Sequence, residues 1–263
     1  MLTIREIKKA ATLEEAWQLN QKRPNRVMGG MLWMRLSKGN VATMIDLSAL
    51  GLDKIEESET EFSIGAMVTL RQLELHAGLA AYTQGAMKEA LRHIVGVQFR
   101  NLATVGGSVF GRFGFSDVLT IFMALDAKVE MYKGGVIPVS EFAQMKYDRD
   151  ILVRVIIPKQ ELECNYASVR IAKTDFPVLT CAAAKTSSGV QIAVGARPAK
   201  AALVRDEQGI LSEGISEEGV KAFAAYAASV LPTESNPRGS AAYRTHLIKV
   251  LAARTILALG GKA

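Results

Sequence analysis

The stretch VGVQFRNLATVGGSVFGRFGFSD, Val95 to Asp117, holds five glycines yet keeps apolar residues between them. That mixture predicts an ordered region of tight turns, because a flexible linker carries no apolar side chains to pack. Within it, Thr104-Val105-Gly106-Gly107-Ser108 sets a Gly-Gly pair between two hydroxyl residues. Glycine lets a ligand approach the backbone closely, and hydroxyls donate to phosphate oxygens. The stretch closes on Ser116, a cap for a helix running through Val118, Leu119, Phe122 and Leu125. Asp117 stands at the mouth of that helix, where its carboxylate either accepts from a ribose hydroxyl or favours the helix N-terminus electrostatically.

Toward the N-terminus, Met87, Ala90, Leu91 and Ile94 fall at helical spacing and predict a helix over Gln84 to Ile94. Phe62 to Val68 is strand-like, and Thr69 with Gln72 forms a capping-box pattern. The same pattern at Thr12 and Glu15 opens a helix that turns Leu13, Ala16 and Leu19 inward. Short extended runs at Arg26 to Met28 and Met44 to Leu47 complete a small βαβ unit, the first of them breaking at Gly29-Gly30. Alone, a Gly-Gly turn is only a turn, and this one does not fit the GxGxxG pattern of a Rossmann unit. Two such turns in one chain, however, suit a diphosphate.

Toward the C-terminus, Lys128 to Tyr132 and Ile151 to Ile157 read as strands, the second ended by Pro158. The region before Pro158 is therefore mixed α and β. Beyond it, strand-like segments at Tyr166 to Ile171, Val178 to Lys185 and Val190 to Val194 precede two alanine-rich helical patterns, which predicts a separate C-terminal domain. The last helix is expected to start near Ser240, after Pro237 and Gly239, and to bury Tyr243, Leu247, Val250 and Leu251.

Composition narrows the function classes. The chain has 263 residues, 49% hydrophobic and 22% charged, which predicts a soluble globular subunit with a sizeable core. Its net charge of +6 arises from 32 basic and 26 acidic residues scattered along the chain, so no block of charge addresses nucleic acid. No apolar run is long enough to span a membrane and Met1 to Ala10 has no signal-peptide core, so a cytoplasmic location is expected. Cys164 and Cys181 lack the paired spacing of a zinc or iron–sulfur site and read as core residues. His76, His93 and His246 are isolated and read as structural, and no Gly-x-Ser-x-Gly elbow or paired carboxylates support hydrolysis.

The segment Gln98 to Ser108 resembles the Q-I-R-N-x-A-T-I-G-G-N signature of the FAD subunits and domains of the xanthine dehydrogenase and carbon monoxide dehydrogenase (molybdenum hydroxylase) family. Ser116-Asp117 and Ala124-Leu125-Asp126-Ala127 follow at that family's spacing, and Pro237 to Arg244 is similar to its closing motif. The resemblance covers nearly the whole chain. It implies an α+β fold: a two-lobed FAD-binding domain of the vanillyl-alcohol-oxidase (PCMH) type over 1–160, with lobes of about 1–55 and 56–160, then a smaller α+β domain over 161–263 like the C-terminal domain of CO dehydrogenase flavoprotein.

The resemblance also implies a site. Val27, Met28, Gly29, Gly30, Met31, Leu32 and Trp33 match one loop that wraps the FAD diphosphate, and Thr104, Val105, Gly106, Gly107 and Ser108 match the other. Ser116 and Asp117 would help hold the cofactor, Leu152 would lie against the flavin ring, and Lys173 falls in a segment that often contacts it. Two departures weaken the grip: the family's G-G-T-D reads Gly29-Gly30-Met31-Leu32 here, and its Ser-Pro is replaced by Phe113-Gly114. One or two lost hydrogen bonds, at roughly 0.5–1.5 kcal/mol each, would weaken binding about tenfold to a hundredfold.

The function implied is electron transfer through FAD, from a 2Fe–2S iron–sulfur subunit working with a large molybdopterin-binding subunit, to NAD+ or another acceptor. No catalytic acid or base is required of this chain. The alternatives are an FAD-less scaffold subunit of the same kind of complex and a stand-alone flavin oxidoreductase.

Overall fold

The computed structural model describes residues 1–259. The first lobe holds β1 (Leu2–Lys9), α1 (Leu13–Asn20), β2 (Arg26–Met28) and, after a 3-10 turn at Met34–Leu36, β3 (Gly39–Asp46). Thr12 is extended and its Oγ1 accepts from the Glu15 amide at 3.1 Å, so α1 starts where the sequence predicts. The three strands are parallel in the order β1-β3-β2, with Ile4 opposite Val41 and Met28 opposite Asp46. The strand β1 was not anticipated. Its sequence, LTIREIKK, leaves only Leu2 and Ile4 partly covered, so it is an edge strand with one wet face and little apolar signal.

The second lobe comprises β4 (Ile55–Glu57), β5 (Glu61–Gly65), α2 (Leu70–Leu75), α3 (Ala77–Tyr82), α4 (Ala86–Leu91), α5 (Val97–Leu102), α6 (Val105–Phe110), α7 (Asp117–Ala124), β6 (Lys128–Met131), β7 (Gly135–Pro138), α8 (Val139–Phe142) and β8 (Leu152–Pro158). Its five strands run antiparallel in the order β4-β5-β8-β6-β7. The expected helix over Gln84 to Ile94 is shorter, because Gly85 at φ 86° begins α4 and Val95 at φ 50° turns the chain into α5. Every residue of α7 is buried, as an element apolar on all sides must be.

The remaining elements are β9 (Glu163–Arg170), β10 (Pro177–Thr186), β11 (Gly189–Gly195), β12 (Ala202–Arg205), α9 (Glu217–Val230) and α10 (Ala241–Leu257), the strands forming an antiparallel meander. Alternation splits β10 between two cores. Ala182 and Ala184 join the large core built around α7, while Cys181 and Ala183 face the core of α9 and α10. Both cysteines are buried and free, and burial pushes each thiol up to about 12.

One expectation for α10 is corrected. Leu247 and Leu251 are buried, but Tyr243 is 44% exposed and Val250 is only partly covered. The inward position belongs instead to Arg244, whose Nε donates to the Val178 carbonyl at 3.0 Å and whose guanidinium reaches the Glu234 carbonyl and Asn236 Oδ1 at 2.7 Å. A guanidinium with five donors satisfies turn carbonyls that no apolar side chain could.

Candidate functional site

The chain leaves β2 at Met28 and crosses directly over the α5–α6 junction. A Cβ on Gly29 would lie 2.8 Å from Thr104 Oγ1, and one on Gly30 would lie 1.9 Å from the Leu102 carbonyl oxygen. Only two glycines allow this crossing. Their need is therefore set by loop-on-loop packing as well as by any ligand, which the sequence alone does not distinguish. Gly106 is likewise a packing residue, since its Cβ would meet the Ala66 carbonyl at 2.7 Å. Between the two turns opens a cavity of about 360 Å³, bounded below by α7 and on its far side by Arg170 and the segment Thr174 to Pro177.

The two turns offer different chemistry. In the second, Thr104 caps α6: its Oγ1 accepts from the Gly107 amide at 3.2 Å, which leaves its own proton to donate. The Ser108 hydroxyl donates to the Thr104 carbonyl at 2.9 Å, so of the two hydroxyls only Thr104's is free to give a hydrogen bond, contrary to the reading of both as phosphate donors. The Val105, Gly106 and Ser108 amides also have partners inside the protein. In the first turn, by contrast, no backbone carbonyl among the described residues accepts from the Gly30, Met31, Leu32 or Trp33 amides. A run of amides without protein partners at a cavity wall leaves donors that water or an anion can take. Met31 holds φ 61°, a left-handed turn unusual for a side-chain-bearing residue.

Asp117 lies at the cavity floor, 5% exposed, with Ser116 capping α7 by accepting from the Leu119 amide at 3.1 Å. Asp117 Oδ1 accepts from both the Tyr166 hydroxyl and the Arg170 guanidinium, tying α7 to β9. Burial pushes this carboxyl up against the pull of Arg170 and Tyr166, and the Tyr166 hydroxyl is pushed well up by its own burial and by Asp117. Arg170 Nε is buried without a partner among the described residues.

Of the residues singled out in the sequence, Val27, Gly29 to Trp33, Thr104, Gly107, Ser108, Ser116 and Asp117 line the cavity. Met28, Val105, Gly106, Leu152 and Lys173 do not. Leu152 is 5% exposed in β8 and packs into the large core, and Lys173 is exposed on the β9–β10 loop. Sequence reading missed the aromatic wall. Trp33 stacks on Phe176 at 5.7 Å between ring centres and stands 6.2–6.4 Å from Phe99, Phe113 and Phe115. The Phe-Gly-Phe run at 113–115 was the available signal, whereas Phe176 lies too far along the chain to be placed. Among the described residues no cluster of His, Cys, Asp or Glu could hold a metal, and no helix is long and apolar enough to cross a membrane.

A two-lobed fold with a cavity between glycine turns, unpaired amides on one wall and a free hydroxyl on the other presents donors of the kind a nucleotide diphosphate takes, and FAD fits this donor set. Residues 4–160 match the family described as the FAD binding domain in molybdopterin dehydrogenase, and residues 165–259 match the CO dehydrogenase flavoprotein C-terminal domain. The chain belongs to this family of FAD-binding oxidoreductase subunits. It is similar to YgfM of Escherichia coli, 29% identical over 210 residues that cover 80% of this chain and 77% of that one. It is also similar to the nicotine 6-hydroxylase medium subunit of Paenarthrobacter nicotinovorans, 26% identical over 274 residues and 96% of each chain. In fold it matches a chain of quinoline 2-oxidoreductase from Pseudomonas putida with a TM-score of 0.84 at 23% identity, over 98% of this chain and 96% of that one.

Proposed function

We propose that this chain is the FAD-carrying medium subunit of a cytoplasmic molybdenum hydroxylase complex. On this reading it pairs with a 2Fe–2S subunit and a large molybdopterin-binding subunit. Two relatives carry the names medium subunit or medium chain, and the chain spans nearly the full length of both, which supports that assignment. We read residues 1–160 as the cofactor domain and 161–263 as the C-terminal domain, a division supported by the two family matches.

The observation that carries the reading is the convergence of Gly29-Gly30 and Thr104 on one cavity. The Gly30 to Trp33 amides and the Thr104 hydroxyl would hold the diphosphate, with backbone donors standing in for the side chains that Met31 and Leu32 do not offer. Asp117, fixed by Arg170 and Tyr166, would present its remaining oxygen to a ligand hydroxyl. When bound, FAD supplies the exchange of electrons between partner clusters and an acceptor, here NAD+.

The test is direct. Purified protein titrated with FAD should develop bound-flavin absorbance at one equivalent per chain, and co-expression with candidate iron–sulfur and molybdenum subunits should yield a complex that, once reduced with dithionite and freed of the excess, passes its electrons to NAD+. Failure to take up FAD ends the cofactor reading; uptake with a different acceptor corrects only the last step.

A further inference from the structure

Large aromatic side chains left in water forfeit the burial that normally stabilises them, so an ordered and exposed aromatic wall inside a cavity calls for an explanation. Trp33 is 44% exposed and Phe113 is 38% exposed, and both line the cavity. Their positions are fixed from behind. Trp33 leans on Phe176 at 5.7 Å, and Phe113 stacks on Phe115 at 5.1 Å with the rings 10° from parallel.

The loop that carries Phe113 is anchored on both sides. Arg112, 4% exposed and at φ 44°, places its guanidinium 3.8 Å from the centre of the Phe142 ring and donates to the Phe142 carbonyl. Gly114 packs so tightly that a Cβ would sit 2.5 Å from the Ala199 carbonyl. A Cβ on Gly111 would meet the Phe113 ring at 2.5 Å. The ring is thus held in place before any ligand arrives, and holding a contact in advance lowers the ordering cost of binding. Directly beside it runs the stretch of unpaired amides from Gly30 to Trp33. An anion-accepting backbone next to a preset aromatic wall matches a ligand that carries a phosphate and a planar ring.

We propose that Trp33 and Phe113, 6.4 Å apart with their planes 53° from each other, form a stacking platform for one of the two planar ring systems of the flavin nucleotide, one ring meeting it by its face and the other by its edge. This rests on the FAD reading above and deepens it: the platform supplies aromatic contact where Met31 and Leu32 supply no polar side-chain group. A stacked aromatic contact of this kind is worth about tenfold in affinity, or about 1.4 kcal/mol.

The experiment measures dissociation constants for FAD, FMN and ADP with the full chain and with Trp33→Leu, Phe113→Leu and Trp33→Phe, using flavin emission for the flavins and calorimetry for ADP. FAD should bind about tenfold more weakly to each leucine variant, and Trp33→Phe, which keeps a ring, should recover most of the loss. The loss should follow FMN if the isoalloxazine stacks and ADP if the adenine does. Melting curves of the four proteins separate loss of stacking from loss of fold, and a leucine variant that melts early leaves the other leucine variant and Trp33→Phe to decide. Unchanged affinity, or tighter binding once Trp33 is truncated, overturns the platform, the latter by showing that the rings plug the cavity. A wild-type chain that takes up no FAD overturns the FAD reading itself, whereas wild-type binding with indifferent variants overturns only the platform.

Discussion

The two glycine turns that meet at the cavity are built in opposite ways. The Thr104 to Ser108 turn is the first turn of a capped helix, its amides are consumed within the protein, and its support is buried: Arg100 Nε lies 2.8 Å from Glu74 Oε2, each side chain 5% exposed. Burial alone would raise the Glu74 carboxyl, but Arg100 and Arg71 outweigh it and hold the group below its ordinary value. The Gly29 to Trp33 turn has no regular structure, keeps its amides unpaired and carries a strained Met31. Amides committed to the fold are not available to a ligand, so the rigid turn is a template that keeps one free hydroxyl, Thr104, whereas the irregular turn keeps its backbone donors.

Removing Arg100 should have the largest effect, because it strips the template of its anchor. Arg100→Met leaves the buried Glu74 with Arg71, 2.9 Å away, as its remaining partner, and should cost about 2–3 kcal/mol in chemical unfolding, whereas pairing it with Glu74→Leu should recover much of that loss. A single variant no less stable than wild type would mean that the ion pair does not hold the turn. Gly30→Ala attacks the crossing itself. Its new Cβ has no space beside Leu102, so stability should fall by about 1–3 kcal/mol and FAD uptake should fall with it. Gly51→Ala, remote in the chain at a turn with nothing within 4 Å but with φ at 66°, is the control: it should cost about 1 kcal/mol of backbone strain and leave FAD uptake intact. Thr104→Val removes the α6 cap and the free hydroxyl together, for about 1 kcal/mol in stability plus a measurable loss of FAD affinity.

The smallest effect concerns how the first lobe is fastened. Glu14 on α1 is held down to about 2, from an ordinary 4.5, by the Lys133 ammonium first and then by Tyr132 and Gln18. Because the folded value is the lower one, this exposed link contributes its stability above pH 4.5 and loses it as pH falls toward 2. Thermal melts of wild type and Glu14→Gln should therefore differ modestly at pH 6 and converge near pH 2. A difference that persists at the acid end would contradict the link.

Legibility followed local chemistry. The caps at Thr12, Thr69, Ser116 and Ser240 were readable because each binds an amide three residues on, within one sequence window. The strand β1 was not readable, since Glu6 and Lys8 share the face of Leu2 and Ile4 while Ile7 is exposed on the other, so no alternation of apolar and polar residues survives. In α10, spacing could not show that Arg244 rather than Tyr243 turns inward, because the carbonyls it satisfies belong to a turn and to β10. At the site, the glycine pairs were visible as glycine pairs. That Gly30 faces Leu102, that Ser108 turns its proton to the Thr104 carbonyl, and that Phe176 joins Trp33 are all products of chain crossing, and one-dimensional spacing carries no trace of them.

The small core of the first lobe has a consequence for biosynthesis. Ala10, Ala16, Ile45, Leu47 and Leu52 are covered by Val153 of β8 and by Ile151 just before it, about a hundred residues later, with Met67 and Tyr132 packed at the margin. A nascent chain emerging from the ribosome would carry this lobe with its apolar face uncovered until that distant strand is translated. Pausing translation before Val153 should therefore leave the leading segment protease-sensitive, and release should protect it in one step.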